Sequence, residues 1–258
     1  MSWFPQIGKG SITQFPVRRT RRWRAISNRM ENSATVWLPD PAARQIDWRL
    51  SLQDLTEAET AKLHDFFTSV HGQFAPFLFV DPMANLLGWS ENLSRPDWQP
   101  GLMTAAGGVA DPLGSTRASL LNNASAGVQT LQQTLAIPGE YFACFSAWMW
   151  SATPAAVTLQ RDGIGAICQT GPAWKRFYVT GSGTAGAMQS TFSIALGAGQ
   201  SIRVWGMQAE AQPYPSSYKP TEKAAGICEE TYFSGDELTM TKTAVGLSSC
   251  DVALTSRI

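Results

Sequence analysis

The chain has 258 residues, carries 20 Lys and Arg against 20 Asp and Glu, and is 44% hydrophobic, with 10 Trp and 12 Phe. This length is enough for one large or two smaller β domains, and the aromatic content excludes a disordered chain. The formal net charge of zero argues against a protein that coats nucleic acid, so no nucleic-acid partner is expected.

The four cysteines, Cys144, Cys168, Cys228 and Cys250, are scattered without a CxxC pair or a Cys/His cluster, so no metal site is predicted. We expect reduced core cysteines rather than disulfides, because nothing in the sequence indicates secretion. The N-terminus lacks the pattern of a leader peptide, and no stretch approaches the ~20 apolar residues of a membrane span. The expectation is a soluble protein that is made in the cytoplasm and inserts into no membrane.

Short strands are predicted at the start of the chain. Residues 20–30 and 35–38 have strand composition, and Pro39-Asp40-Pro41 predicts a turn after them. Residues 46–52 alternate between apolar and polar side chains, which is the period of a half-buried strand.

An arginine strip lies in the first of these strands and comprises Arg18, Arg19, Arg21, Arg22 and Arg24. Several guanidinium groups on one strip could neutralise the phosphates of a nucleic acid. They also suit an edge strand with a charged outer face, or a positive surface that meets a negative neighbour. We favour a structural or subunit-contact role over nucleic-acid binding, which makes the strip a candidate subunit interface.

The stretch from Leu55 to Pro82 predicts one helix packed on one strand. Thr56 followed by Glu59 is a capping box, which marks the start of a helix. Apolar residues then recur at helical spacing, and Gly72 suits a left-handed C-cap. The apolar run at 77–80 predicts a buried strand.

After residue 85 the composition shifts towards Gly, Ala, Ser and Thr, and charged residues become rare. Strands are predicted at regular spacing, at 128–137, 141–150, 155–161, 174–180, 189–196 and 201–210. This pattern is typical of a β-sandwich.

The last 35 or so residues return to the character of the start, with strands predicted at 226–233, 237–243 and 250–256. They are too few for a domain of their own. The predicted architecture is therefore mainly β: one domain with a packed α-helix, residues 1–85 plus 223–258, is interrupted by an inserted β-sandwich, residues 86–222.

Several segments resemble the belt-type domain of distal tail proteins of tailed bacteriophages and related prophage or gene-transfer particles. They are FPQIGKG, the RW pair, LTEAETAKLHDFF followed by VHG, FLFVDP, and TYFSGDELTMTKTAVGLSSCDVAL. The resemblance covers about residues 1–85 plus 223–258. It implies a hexameric ring at the end of the tail tube, which joins the tube to the hub and the host-recognition parts.

The inserted region resembles the carbohydrate-binding-like jelly rolls that are often grafted onto phage tail and fibre proteins. These modules open with N-L-L-x-x-S-E and close with W-G-x-Q-x-E and S-x-Y-x-P-T, and the chain has NLLGWSE, WGMQAE and SSYKPT. Together the two resemblances imply a virion structural protein of the phage tail tip or baseplate, assembled in the bacterial host cytoplasm. The implied partners are further copies of the chain, the tail tube protein, hub and tip proteins, and host surface glycans.

Glycan binding without any ring-forming role is the alternative hypothesis, for a free adhesion module. Sugars stack on exposed aromatic rings, and the candidates in the sandwich are Trp148, Trp150, Trp174 and Tyr178. For each of them, packing in the core or between sheets is the competing interpretation.

No catalytic residue and no cofactor are predicted, and we expect no enzyme. His64 and His71 both lie on the predicted helix, and neither adjoins a GxSxG, HExxH or cysteine-nucleophile pattern. Glu140, Asp162 and Glu210 could be proposed as glycosidase carboxylates, but surface carboxylates in loops are far more common.

Overall fold

The computed structural model describes residues 2–7, 14–223 and 226–257, at positions 41 and 42 for the backbone only. In this part of the chain the fold is mainly β, as predicted, with 15 strands and one helix. The chain divides into two compact units, the first from residues up to 80 together with those from 227 on, the second from 81–226. The second unit is thus inserted in the chain of the first, and the sequence-based boundaries at 85/86 and 222/223 lie a few residues away.

The elements in chain order are β1 (Val17–Arg29), β2 (Thr35–Thr56), α1 (Glu57–Ser69), β3 (Phe77–Val80), β4 (Thr104–Val109), β5 (Ala118–Asn122), β6 (Gln129–Leu135), β7 (Phe142–Trp150), β8 (Ala155–Arg161), β9 (Ile164–Thr170), β10 (Lys175–Ser182), β11 (Ser190–Leu196), β12 (Ser201–Glu210), β13 (Ile227–Phe233), β14 (Met240–Ala244) and β15 (Leu247–Arg257). No helix among the described residues is long and apolar enough to cross a lipid bilayer.

The first unit is built on a six-stranded sheet in the order β1-β2-β15-β13-β3, with β14 beside β15. Helix α1 begins with the predicted capping box. The Glu59 amide donates to Thr56 Oγ1 at 3.3 Å, and the Thr56 amide donates to the Glu59 carboxylate at 2.9 Å. Leu63 and Phe66 on the helix are buried, and Gly72 has the predicted left-handed backbone, with φ +63°.

A cluster of phenylalanine rings forms the core of the first unit. The Phe4 ring lies 5.6 Å from both Phe66 of α1 and Phe79 of β3. Phe233 of β13 lies 5.3 Å from Phe77. Because the last part of the chain supplies one of these rings and the middle of the sheet, it completes the core that the first 80 residues begin.

Strand β2 runs unbroken from Thr35 to Thr56, so the turn predicted at Pro39-Asp40-Pro41 is wrong. Here Pro39 lies opposite Ala25 of β1. Strand β15 pairs with β2 only from Gln45 onwards. The earlier part of β2 therefore has one neighbouring strand, and a proline can face the open side without removing a ladder hydrogen bond. The two-stranded segment that results, residues 23–44, is called the arm below.

The second unit is a β-sandwich of a five-stranded sheet, β10-β7-β12-β5-β4, and a four-stranded sheet, β6-β11-β8-β9. All of its strand pairs are antiparallel. Phe145 of β7 and Phe192 of β11 meet between the sheets with ring centroids 5.6 Å apart. Six of these strands were predicted from the sequence, whereas β4, β5 and β9 were not.

Candidate functional site

The five-stranded sheet has an outer face, turned away from the four-stranded sheet, and the strand register defines it. Trp148 of β7 lies opposite Arg176 of β10 and Trp205 of β12, and Trp150 lies opposite Arg203. These residues alternate with Phe145 and its core neighbours, so they point outwards. The same register adds Thr104, Ala106, Leu120, Asn122, Ser146, Tyr178, Gln208 and Glu210 to the outer face.

One half of the outer face is covered by residues 213–221, the closing segment. The Tyr218 ring packs against Trp205 at 4.7 Å, and its hydroxyl lies 2.8 Å from Ser90 Oγ. Burial raises the pKa of Tyr218, so its hydroxyl stays protonated. Trp205 is 5% exposed as a result and belongs to the packed interior.

Two buried side chains of β12 hold the closing segment in place. Gln208 Oε1 accepts a hydrogen bond from the Lys219 amide at 2.8 Å, and its Nε2 donates to the Ser216 carbonyl at 3.4 Å. The Glu210 carboxylate accepts from Lys219 Nζ at 2.8 Å and from the Ser216 amide at 2.9 Å. Burial acts to raise the pKa of Glu210, but the hydrogen bonds from Lys219 and Ser216 outweigh it and lower the pKa overall. The carboxylate is therefore charged, and it accepts its hydrogen bonds from groups within the protein.

The start of the sandwich joins the same network through Asn85. Its Nδ2 donates to the carbonyls of Met207 and Lys219, both at 3.0 Å. Its Oδ1 accepts from the amides of Ala209, at 3.1 Å, and Leu87, at 3.2 Å. The N-L-L-x-x-S-E, W-G-x-Q-x-E and S-x-Y-x-P-T segments therefore lock the two ends of the sandwich together. The side chains of Asn85, Gln208 and Glu210 in these segments find their hydrogen-bond partners within the protein.

The other half of the outer face is open and displays Trp148 and Trp150, both half-buried. Arg203 Cζ lies 4.3 Å over the Trp150 ring, in a cation–π contact that orients it. Gly206, with φ +67°, lets the backbone pass Trp148, because a Cβ there would lie 3.1 Å from Trp148 Cδ1. The two tryptophan rings are thus held in place by neighbouring strands.

Polar and aliphatic side chains border these tryptophans on the neighbouring strands. Leu120 lies opposite Arg203, and Asn122 lies opposite Ser201 on one side and Thr104 on the other. Leu120 and Asn122 are half-buried and Thr104 is exposed. Sequence reasoning missed them because it did not predict β4 and β5.

The other two predicted aromatic residues lie elsewhere on this sheet. Trp174 is half-buried and immediately precedes Lys175, which pairs with Met149, so it adjoins the Trp150 end of β7. Tyr178 is 45% exposed, and its ring lies 6.4 Å from the exposed Tyr214. The structure therefore brings Trp148 and Trp150 together and places Tyr178 on the covered half, beside the closing segment.

The three carboxylates considered as glycosidase groups each bind protein backbone. Glu140 accepts from the Gly186 amide at 3.1 Å. Asp162 accepts from the Thr191 amide at 2.6 Å. With Glu210 bound to the closing segment, each of these carboxylates has a local structural role.

The arginine strip divides between the two faces of edge strand β1. Arg18 and Arg22 are exposed on the polar face. Arg19 and Arg21 lie opposite buried residues of β2, on the core side. Arg24 follows a β-bulge, and its Nε donates a hydrogen bond to Asp40 of the arm at 2.8 Å. The five arginines therefore do not form one continuous surface.

The arm exposes large apolar side chains on both of its faces. Trp23 is 66% and Trp37 67% exposed. Ile26 and Leu38 lie opposite each other, and both are close to half exposed. Arg44 lies over the Trp23 ring, 4.5 Å from Cζ to the centroid. Several large exposed apolar side chains in one short segment are typical of a surface that a partner covers.

Comparisons with solved structures found β proteins of low identity. An enzymatically active domain of tailspike protein 4 from bacteriophage CBA120 is 15% identical, with a TM-score of 0.39, covering 51% of this chain and 22% of that one. A xylan-binding domain of Xyn10C from Paenibacillus barcinonensis is 12% identical, with a TM-score of 0.42, covering 52% and 99%. The module TmCBM61, solved with β-1,4-galactotriose, is 11% identical, with a TM-score of 0.38, covering 49% and 97%. No protein-family model and no curated protein sequence matches the chain.

Proposed function

We propose that the β-sandwich binds polysaccharide on the open half of its outer face. The observation that carries this proposal is the pair of half-buried rings, Trp148 and Trp150, on alternate positions of one strand. Alternate residues of a strand are about 6.6 Å apart, so the rings form neighbouring platforms for the C–H faces of adjacent sugars. Asn122 and Arg203 lie close enough along the register to bind sugar hydroxyls.

The site is preorganised, which favours binding of a flexible polysaccharide. Arg203 fixes the Trp150 ring and Gly206 admits Trp148 against the sheet. Because few side chains lose freedom when a ligand arrives, little of the interaction energy is lost to ordering.

Affinity electrophoresis of the full chain on host polysaccharides and lipopolysaccharide, followed by a glycan array, tests this proposal. Trp148→Ala and Trp150→Ala should each weaken binding on the order of 10-fold, because each removes a stacking platform. Tyr214→Ala is the matched control, since it removes an exposed aromatic ring from the covered half. The proposed site is refuted if the gel-embedded polysaccharides do not retain the wild type. It is also refuted if they retain all three variants equally.

We propose as a second function that the first unit assembles into a hexameric ring at the tip of a phage tail. The resemblance to distal tail proteins suggests this role, and the apolar arm is the structural feature that favours it. The partners would be the tail tube and hub proteins, and the location would be the virion tail tip, where the sandwich could contact host glycans. Neither proposal assigns an enzymatic activity to the chain.

The arm suits contact between unlike surfaces of neighbouring subunits. A closed ring uses heterologous interfaces, in which one surface of each subunit meets a different surface of the next. Strand β1 lies at the edge of its sheet, with β2 as its described neighbour. Trp23 and Trp37 present a hydrophobic anchor of the kind that dominates interface energetics.

Light scattering after size exclusion, with negative-stain images, tests the assembly. The wild type should form rings, and Trp23→Ser with Trp37→Ser should shift the mass to that of one chain. Phe74→Ser is the control, because Phe74 is also a highly exposed aromatic residue but lies outside the arm. A monomeric wild type that still binds polysaccharide would instead support the free adhesion module.

A further inference from the structure

A groove of about 550 Å³ crosses the polar face of the six-stranded sheet in the first unit. Three rows of side chains explain its shape. The middle row has short side chains, Thr20, Asp47 and Thr255, and forms the floor. Arginines rise on either side of this floor, since the residues two positions away on each strand point to the same face.

The walls of the groove carry four arginines. Arg18 and Arg49 form one wall, and Arg22 and Arg257 form the other. The walls are four residues apart along the strands, or about 13 Å. Gln45 and Tyr232 also line the groove and add an amide and a phenol group.

Asp47 neutralises only part of this charge. It forms an ion pair with Arg22 and accepts hydrogen bonds from Gln45 Nε2, at 2.6 Å, and Thr255 Oγ1, at 2.8 Å. Burial acts to raise its pKa, but the hydrogen bonds from Gln45 and Thr255 and the charge of Arg22 lower it overall, so Asp47 is charged.

Arg18 and Arg49, in contrast, lie directly opposite each other on adjacent strands. Among the described residues, no carboxylate is within ion-pair distance of either. Like charges in directly opposed positions destabilise a sheet. An oxyanion bound between the two guanidinium groups would remove this repulsion and accept paired hydrogen bonds from them.

We propose that this groove is a binding site for a short acidic oligosaccharide, whose sulfate or carboxylate groups meet the arginine walls and whose hydroxyls meet the floor. The site is separate from the tryptophan platform of the sandwich. Thr20 and Tyr232 offer hydroxyl groups of the kind that bind sugar hydroxyls, and Gln45 offers its amide oxygen, since its Nε2 donates to Asp47 and Thr255.

The dimensions and lining favour this ligand class over other polyanions. The groove crosses β1, β2, β15 and β13, a span of about 14 Å at ordinary strand spacing, which accommodates only a few sugar rings. A single-stranded nucleic acid would require exposed aromatic faces for its bases. Of the rings that line the groove, Trp48 and Phe233 are buried, and Tyr232 is half-buried with Arg257 beside it. An acidic peptide would favour a free strand edge or an apolar pocket, whereas this floor is polar.

Calorimetric titration of the full chain with a heparin-derived tetrasaccharide and with tetragalacturonate tests the proposal. The first probe carries sulfate and carboxylate groups and the second only carboxylates, so the pair identifies the oxyanion. Arg18→Ala with Arg49→Ala should weaken binding roughly 10-fold to 100-fold, because two charge-assisted contacts are lost. Arg18→Lys with Arg49→Lys should give a smaller loss, since charge is kept and paired hydrogen bonding is not.

The control is Arg21→Ala with Arg29→Ala, which makes the same change of net charge at two positions of β1 outside the groove. It should leave the affinity within about twofold of the wild type. The proposal is overturned if neither tetrasaccharide binds, if the control loses as much as the groove variant, or if a tetraglutamate peptide or a short single-stranded DNA binds as tightly. Loss of binding in Trp148→Ala with Trp150→Ala would also overturn it, because the ligand would then lie on the sandwich.

Discussion

Replacing Gln208 by alanine should release the closing segment from the sandwich. The Gln208 side chain is fully buried and bonds three backbone groups of that segment. They are the Lys219 amide at 2.8 Å, the Ser217 carbonyl at 3.3 Å and the Ser216 carbonyl at 3.4 Å.

The expected effect follows from these contacts. A typical hydrogen bond contributes about 1 kcal/mol, and each polar group left buried without a partner adds a penalty. Because two of the three bonds are long, we expect the free energy of opening of the closing segment to fall by about 2 to 4 kcal/mol. This corresponds to roughly 30-fold to 700-fold faster amide exchange where exchange follows local opening.

Hydrogen-exchange mass spectrometry on the peptide that contains residues 213–221 measures this effect. Gln189→Ala is the matched control, since Gln189 is exposed on the same unit, and its exchange should equal that of the wild type. A rise of less than about threefold in Gln208→Ala would show that the motif glutamine does not hold the segment, and the reasoning on the closing network would be refuted.

Three further predictions concern single residues. Thr56→Ala should lower the free energy of unfolding in urea by about 1 kcal/mol, because the helix cap is lost, whereas Thr56→Ser should be nearly neutral; equal losses would contradict the capping role. Gly206→Ala should weaken polysaccharide binding, because the new Cβ would lie 3.1 Å from Trp148 Cδ1. Gly108→Ala, also at positive φ but in open space, should leave binding unchanged, and equal losses would indicate backbone strain alone. At Asp111, burial acts to raise the pKa, but hydrogen bonds from Ser115 and neighbouring amides outweigh it and lower the pKa to about 2. Its contribution to stability is therefore complete above 3.8, the ordinary pKa of an aspartate in the unfolded chain, and is lost as the pH falls through about 2. The free energy of unfolding, measured as a function of pH in acid, should accordingly depend less steeply on pH in Asp111→Asn than in the wild type. The slope should not change in Asp97→Asn.

Local patterns were enough to predict the helix and many of the strands. The capping box at Thr56 and Glu59 depends on residues three positions apart, so the sequence alone locates the start of α1. Alternation along the strand predicted at 141–150 is also visible in the sequence, and in β7 it places Trp148 and Trp150 on the face opposite the core residues Phe145 and Met149, because a strand turns successive side chains to opposite faces.

Other features were present in the sequence but were not recognised. Asp162-Gly163 is a two-residue turn with both φ angles positive, and it joins β8 to β9. This pair is a strong hairpin signal, which would have predicted β9 and shown that Asp162 is a turn residue. Strand β4 was harder to recognise, because two glycines within Thr104–Val109 remove its apolar alternation.

The binding surfaces were decided only by the tertiary structure. Asn85 bonds the backbone of Met207, 122 positions later in the chain, and Arg49 meets Arg18 and Ala253 only because β2 lies between β1 and β15. Local sequence records periodicity, caps and turns, since these depend on residues a few positions apart. Strand order brings distant residues to one surface, and that order determined which aromatic rings stay open, which motif residues are enclosed and where the arginines face each other.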